Sequence, residues 1–120
     1  MNFSLFSLSG ILSPFQEKNK TLISEINNGD TLSIQKGRAF SVRLPFSPGT
    51  GYDWELSKKD PFYRYQRIIE ESSNQMPCAP SFQVFTIRVL KPGFKGLTWY
   101  YKRSWEKESL KTFRIYLNIQ

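Results

Sequence analysis

The sequence predicts an all-β fold, an antiparallel sandwich or barrel, on three observations. From Thr21 onward apolar residues recur at every second position; turn signals separate these stretches at intervals of about ten residues; and no segment after residue 20 carries a helical period. Period two is what a strand with one buried face requires, because successive side chains point to opposite sides of a sheet. The chain has 120 residues, enough for one domain with its own core and too few for two. Aromatics make up 16% of it, ten of them Phe, so there is ample apolar surface to bury and the chain is not a disordered polymer.

The first sixteen residues, MNFSLFSLSGILSPFQ, stand apart: they are apolar and Ser-rich, with no charged side chain before Glu17. Leu5, Leu8, Leu12 and Phe15 fall at helical spacing. A short amphipathic helix, a weak signal peptide without a basic n-region, and a flexible leader all fit this segment. The expected division is therefore a leader over 1–20 and a β-domain over 21–120.

Within the β-domain, Leu32 and Ile34 alternate with polar residues before QKGR turns the chain. Phe40, Val42 and Leu44 then alternate up to the glycine-rich stretch SPGTGY, and Trp54 and Leu56 continue one face beyond it. SKKDP is a turn or loop, and Tyr63 to Ile69 suits another strand. Ser72 to Ser81 breaks the pattern with two prolines. Phe85, Ile87 and Val89 resume it, while Phe82 and Val84 lie on the opposite phase, a mismatch that a bulge would reconcile. After the KPG turn, Leu97, Trp99 and Tyr101 alternate with Thr98 and Tyr100. Phe113, Ile115, Leu117 and Ile119 form the cleanest alternation of all.

Composition excludes several functions. The chain contains no histidine, so neither a Cys-His nor a Ser-His-Asp nucleophilic site can be assembled from it. Its paired or near-paired acids, Asp53/Glu55, Glu70/Glu71 and Glu106/Glu108, lie beside turns, as solvated charges do. A single cysteine, Cys78, excludes an intrachain disulfide, and no Cys/His spacing points to zinc. The expectation is a non-enzyme without cofactor or metal. No apolar run approaches the roughly 20 residues of a membrane-spanning helix. The net charge of +7 is spread along the chain instead of being gathered on one stripe, which argues against a nucleic-acid partner. It serves either solubility or steering toward an acidic partner. Without disulfides the domain suits cytosol, vesicle or lysosome, or the exterior, and the compartment stays open.

Three segments exceed what ordinary turns need. The first is Ser47, Pro48, Gly49, Thr50, Gly51 and Tyr52, small residues set directly against heavy aromatics. The second is SSNQMPCAPS, with Met76, Pro77, Cys78, Ala79 and Pro80 at its centre. The third is YYKRSWE, in which Arg103, Ser104 and Trp105 follow an aromatic strand and precede the polar stretch EKESLK. An indole at the start of a polar loop is a candidate for exposure, and exposed Trp is a frequent binding anchor.

These stretches resemble the chagasin family of cysteine-protease inhibitors. The family's first loop reads Asn-Pro-Thr-Thr-Gly-Tyr or Phe, then one residue and Trp; here Ser47-Pro48-Gly49-Thr50-Gly51-Tyr52-Asp53-Trp54 matches it, with Ser for Asn and Gly for the first Thr. Its last loop ends a strand with Tyr-x-Arg-Pro-Trp, matched by Tyr101-Lys102-Arg103-Ser104-Trp105 with Ser in place of Pro. NNGDTLSIQKGRAFSVRLP and FTIRVLKPG resemble the strands that lead into these loops, so the likeness covers about residues 26 to 120. The family's middle loop carries a Gly-x-Gly-Gly pattern that is absent here, and NQMPCAPS stands in its place. Glycines allow close backbone approach, whereas flanking prolines restrict the chain, so the middle loop would fill a groove differently.

The resemblance implies an immunoglobulin-like antiparallel sandwich of about seven to eight strands. It implies a monomer that blocks a papain-like cysteine protease of cathepsin type with three adjacent loops and is not itself cut. On that basis Gly49 and Gly51 let the main chain approach the catalytic thiol while Tyr52 and Trp54 hold the trailing strand. Trp105 packs on an apolar shelf of the protease, and Arg103 either meets an acidic group there or braces the loop internally. Two rivals remain at this stage: an immunoglobulin-like interaction module without inhibitory activity, and a basic polyanion-binding β-domain.

Overall fold

The computed structural model describes residues 21–57, 61–71 and 81–120. The expected leader over 1–20 and the middle-loop residues Met76, Pro77, Cys78, Ala79 and Pro80 lie outside the described residues.

Eight strands form two four-stranded sheets: β1 (Thr21–Ser24), β2 (Thr31–Ile34), β3 (Ala39–Phe46), β4 (Tyr52–Leu56), β5 (Tyr63–Glu70), β6 (Ser81–Val89), β7 (Gly93–Arg103) and β8 (Lys111–Ile119). One sheet runs β1-β3-β6-β5 and the other β2-β8-β7-β4. The expected all-β sandwich is thus present. The central pairings are antiparallel, while the short strands β1 and β2 join β3 and β8 in parallel.

The alternating residues meet between the layers. Phe40, Val42, Leu44 and Phe46 from β3, Phe85, Ile87 and Val89 from β6, Leu97, Trp99 and Tyr101 from β7, and Phe113 to Ile119 in steps of two from β8 are all buried. Trp99 lies at the centre, edge-on to Phe85 at 5.7 Å and to Phe113 at 5.6 Å between ring centroids. Each fully buried side chain of this size stabilises the fold by about 1.5–3 kcal/mol relative to leaving it in water.

The bulge expected in β6 is absent. Residues 82–88 pair one for one with β3 on one side and β5 on the other. The core phase is carried one step further back by Gln83, a polar residue that is completely buried. Phe82 belongs to the outer face, where the Arg43 guanidinium lies 3.6 Å above its ring and makes a 2.9 Å ion pair with Glu70. An apolar residue on the outer face is sheltered there by the stem of a long cation, so no change of register is needed.

Candidate functional site

Strand register decides which loops are neighbours. β3 ends at Phe46, opposite Ser81, the first residue of β6; β4 begins at Tyr52, opposite Arg103, the last residue of β7. The β3–β4 connection, the β7–β8 connection and the two ends of the β5–β6 connection therefore share one end of the sandwich.

The β3–β4 loop, Ser47–Gly51, crosses from one sheet to the other. Its Thr50 N–H donates to the Ser47 carbonyl at 3.4 Å, closing a turn with Pro48 second and Gly49 third. Gly49 has φ +91°, the value a type II turn demands at its third position. The Thr50 hydroxyl donates to the Ser47 carbonyl at 2.8 Å and accepts from the Tyr52 N–H at 3.2 Å. This hydroxyl is therefore engaged within the loop, although Thr50 itself is exposed.

Both feet of the loop are fastened to the core. The Ser47 N–H donates to the Tyr101 hydroxyl at 3.2 Å, and the Trp54 indole N–H donates to the Pro45 carbonyl at 2.9 Å. Trp54 and Tyr101 are buried and in ring contact at 4.8 Å. Tyr52 stacks on the other side of Tyr101 at 5.3 Å. Tyr52 is thus half-buried support for the loop as well as its last residue.

The β7–β8 loop joins the first one through Arg103. Its Nε donates to the Thr50 carbonyl at 3.0 Å, its guanidinium lies 4.3 Å from the Tyr52 ring centroid and 5.9 Å from that of Trp105, and its Nη1 meets Glu106 at 3.4 Å. Of the two roles the sequence left for Arg103, the internal brace is the one its contacts describe. Ser104 is exposed, and Trp105 is 71% exposed beside it. Gly51, at φ +86°, passes directly beneath: a Cβ there would come 2.9 Å from Trp105 Cη2. Glycine is needed at this point both for its backbone angle and for the space the indole occupies.

One contributor escapes sequence reasoning. Gln83 reaches from β6 in one sheet to β4 at the edge of the other, accepting the Trp54 N–H at its Oε1 (2.8 Å) and donating from Nε2 to Asp53 (3.2 Å). The available signal was its phase: Gln83, Phe85, Ile87 and Val89 lie on one face. Among the described residues no cluster of His, Cys, Asp and Glu suits a metal ion, and no helix is long and apolar enough to cross a membrane.

Three solved structures share the architecture. A cysteine protease inhibitor from Entamoeba histolytica, EhICP2, is 24% identical with a TM-score of 0.77, over 84% of this chain and 96% of that one. Amebosin is 24% identical with a TM-score of 0.63, over 83% and 97%. PbICP-C, solved in complex with falcipain-2, is 22% identical with a TM-score of 0.54, over 85% and 90%. At these identities the likeness speaks for the fold. A search of curated proteins gives no significant match. The family model for the chagasin family of peptidase inhibitors, I42, matches residues 33–117, which take in both fastened loops and the strands beneath them. The chain belongs to the chagasin family of peptidase inhibitors.

Proposed function

We propose that this protein inhibits papain-like cysteine proteases by lodging its loop end in the active-site cleft, with Ser47–Tyr52 over the catalytic thiol and Arg103–Trp105 on an adjoining apolar shelf. Met76–Pro80 is the third element of this reading, supported by the ends of β5 and β6 emerging beside the other two loops. EhICP2 is a cysteine protease inhibitor and PbICP-C binds falcipain-2, which favours a cysteine protease as target.

The observation that carries the reading is the single body formed by the two described loops. Thr50 is bonded to Arg103, Arg103 lies against Tyr52 and Trp105, and Trp105 covers Gly51. Such a body is ordered before it meets a partner, so little conformational entropy is lost on docking. A standard protease–inhibitor interface buries about 1,600 Å², and nanomolar affinity corresponds to about −12 kcal/mol. The same geometry explains why the loop would not be cut. A protease holds its substrate extended, whereas positive φ at Gly49 and Gly51 and the Ser47–Thr50 turn keep this backbone bent.

Titrating papain with the purified chain tests the proposal. Expected are inhibition at nanomolar to low-micromolar concentration and an intact chain by mass spectrometry after prolonged incubation. Full activity of papain and of a cathepsin-type protease in the presence of folded protein would refute it and leave an immunoglobulin-like interaction module.

A further inference from the structure

We propose that Gln83 is a positioning residue for inhibition: a buried amide that locks the start of β4, and with it the first loop, to the start of β6. The inference rests on the inhibitory role proposed for the loop end and concerns a residue outside all three loops. β4 is the last strand of its sheet, so only one of its edges is paired by β7. The Trp54 N–H lies on the other edge within the core, where an unpaired donor is costly. Gln83 supplies the acceptor at 2.8 Å and is itself fully buried, with its amide nitrogen 3.2 Å from Asp53 Oδ1.

The choice of residue is informative. The positions that continue its face, Phe85, Ile87 and Val89, are apolar, and an aliphatic side chain at 83 would satisfy the same pattern. A buried amide is tolerated only when its own groups find partners. Here the partners are a main-chain N–H and a side chain of β4, so the amide fixes where that strand sits. Trp54 passes the constraint on through its indole bond to Pro45, at the foot of the first loop's other limb. Gln83 also lies two residues beyond Ser81, which opposes Phe46 at the root of that limb. One side chain therefore sets the spacing between the first loop and the strand that the middle segment enters.

Four variants test this: Q83L, Q83E, D53N and the exchanged pair D53N/Q83E. Each is read by its inhibition constant against papain, its melting temperature, and the amide-exchange rates of Tyr52 and Trp54. Q83L leaves the Trp54 N–H without an acceptor, and Q83E keeps the acceptor but turns a carboxylate toward Asp53. Both are expected to weaken inhibition by about tenfold or more and to speed exchange at Trp54. In D53N/Q83E the new amide donates where the old one accepted, and inhibition returns to within about threefold of the parent. Full potency of Q83L, or no recovery in the exchanged pair, overturns the proposal while leaving the inhibitory role intact. Should Q83L fail to fold, Q83E and its exchanged partner carry the same test. Should the parent protein not inhibit papain, the functional reading fails, and unchanged Trp54 exchange in Q83E would still overturn the role of Gln83.

Discussion

Replacing Gly51 by alanine separates the backbone of the first loop from its contact with Trp105, because Gly49 provides a matched control. Gly49 and Gly51 have nearly equal angles, φ +91° and +86°, so alanine at either position incurs the same left-handed strain, about 1–2 kcal/mol. For a domain near 100 residues each kcal/mol lowers the melting temperature by about 4–8 °C. Beyond this shared term the two sites differ. A Cβ at Gly49 meets nothing within 4 Å, whereas one at Gly51 would stand 2.9 Å from Trp105 Cη2 and 3.6 Å from Arg103 Cγ and Nε. Carbon atoms rest at about 3.5–4.0 Å, so the rim of the indole must retreat by about 0.6–1.1 Å.

The indole is 71% exposed and the crowded atom is at its far end, so it yields at little cost to the fold. The expected result is equal melting temperatures for Gly49→Ala and Gly51→Ala, with a displaced Trp105 indole N–H resonance in Gly51→Ala alone. Because an anchor moved by that distance no longer fits its pocket, Gly51→Ala should weaken papain inhibition about tenfold beyond its effect on stability. The indole resonance is the deciding measurement, since a methyl group at Gly49 would also be felt by a protease in close contact. An unmoved Trp105 signal in folded Gly51→Ala would refute the argument, as would a stability loss several times that of Gly49→Ala.

Trp105→Ala is expected to weaken inhibition by about 2 kcal/mol or more with an unchanged melting temperature, because the side chain is mostly in solvent; a loss of a few tenths would remove it from the interface. Arg103→Lys should weaken inhibition about as much as Arg103→Ala. An ammonium lacks the planar face that lies over Tyr52 and the fixed Nε–H aimed at the Thr50 carbonyl, and a lysine variant of full potency would contradict the brace. Thr50→Val keeps the shape of the side chain but removes a donor to Ser47 and an acceptor for Tyr52. It should lower stability by about 1 kcal/mol in thermal unfolding, with Thr50→Ser restoring it.

What could be read from the sequence had local causes. Alternation in β3 and β8 reports one buried face, and Phe40, Val42 and Leu44, like Phe113 to Ile119, do lie in the core. Pro and Gly between Ser47 and Gly51 report a turn whose angles only those residues adopt readily. The partners of β1 and β2 were not legible, because strands of four residues carry too little pattern to choose between parallel and antiparallel neighbours. Nor was the work of Arg103, Tyr101 or Gln83. Arg103 grips a carbonyl 53 residues away, Tyr101 receives an N–H from 54 residues away, and Gln83 accepts one from 29 residues away. Non-local contacts leave no spacing to detect; only closure of the sandwich brings them into reach. The aim of the first loop therefore resides outside its own residues. Placed on another hairpin without Arg103, Tyr101 and Gln83, SPGTGY would retain its turn and lose the three bonds that point it.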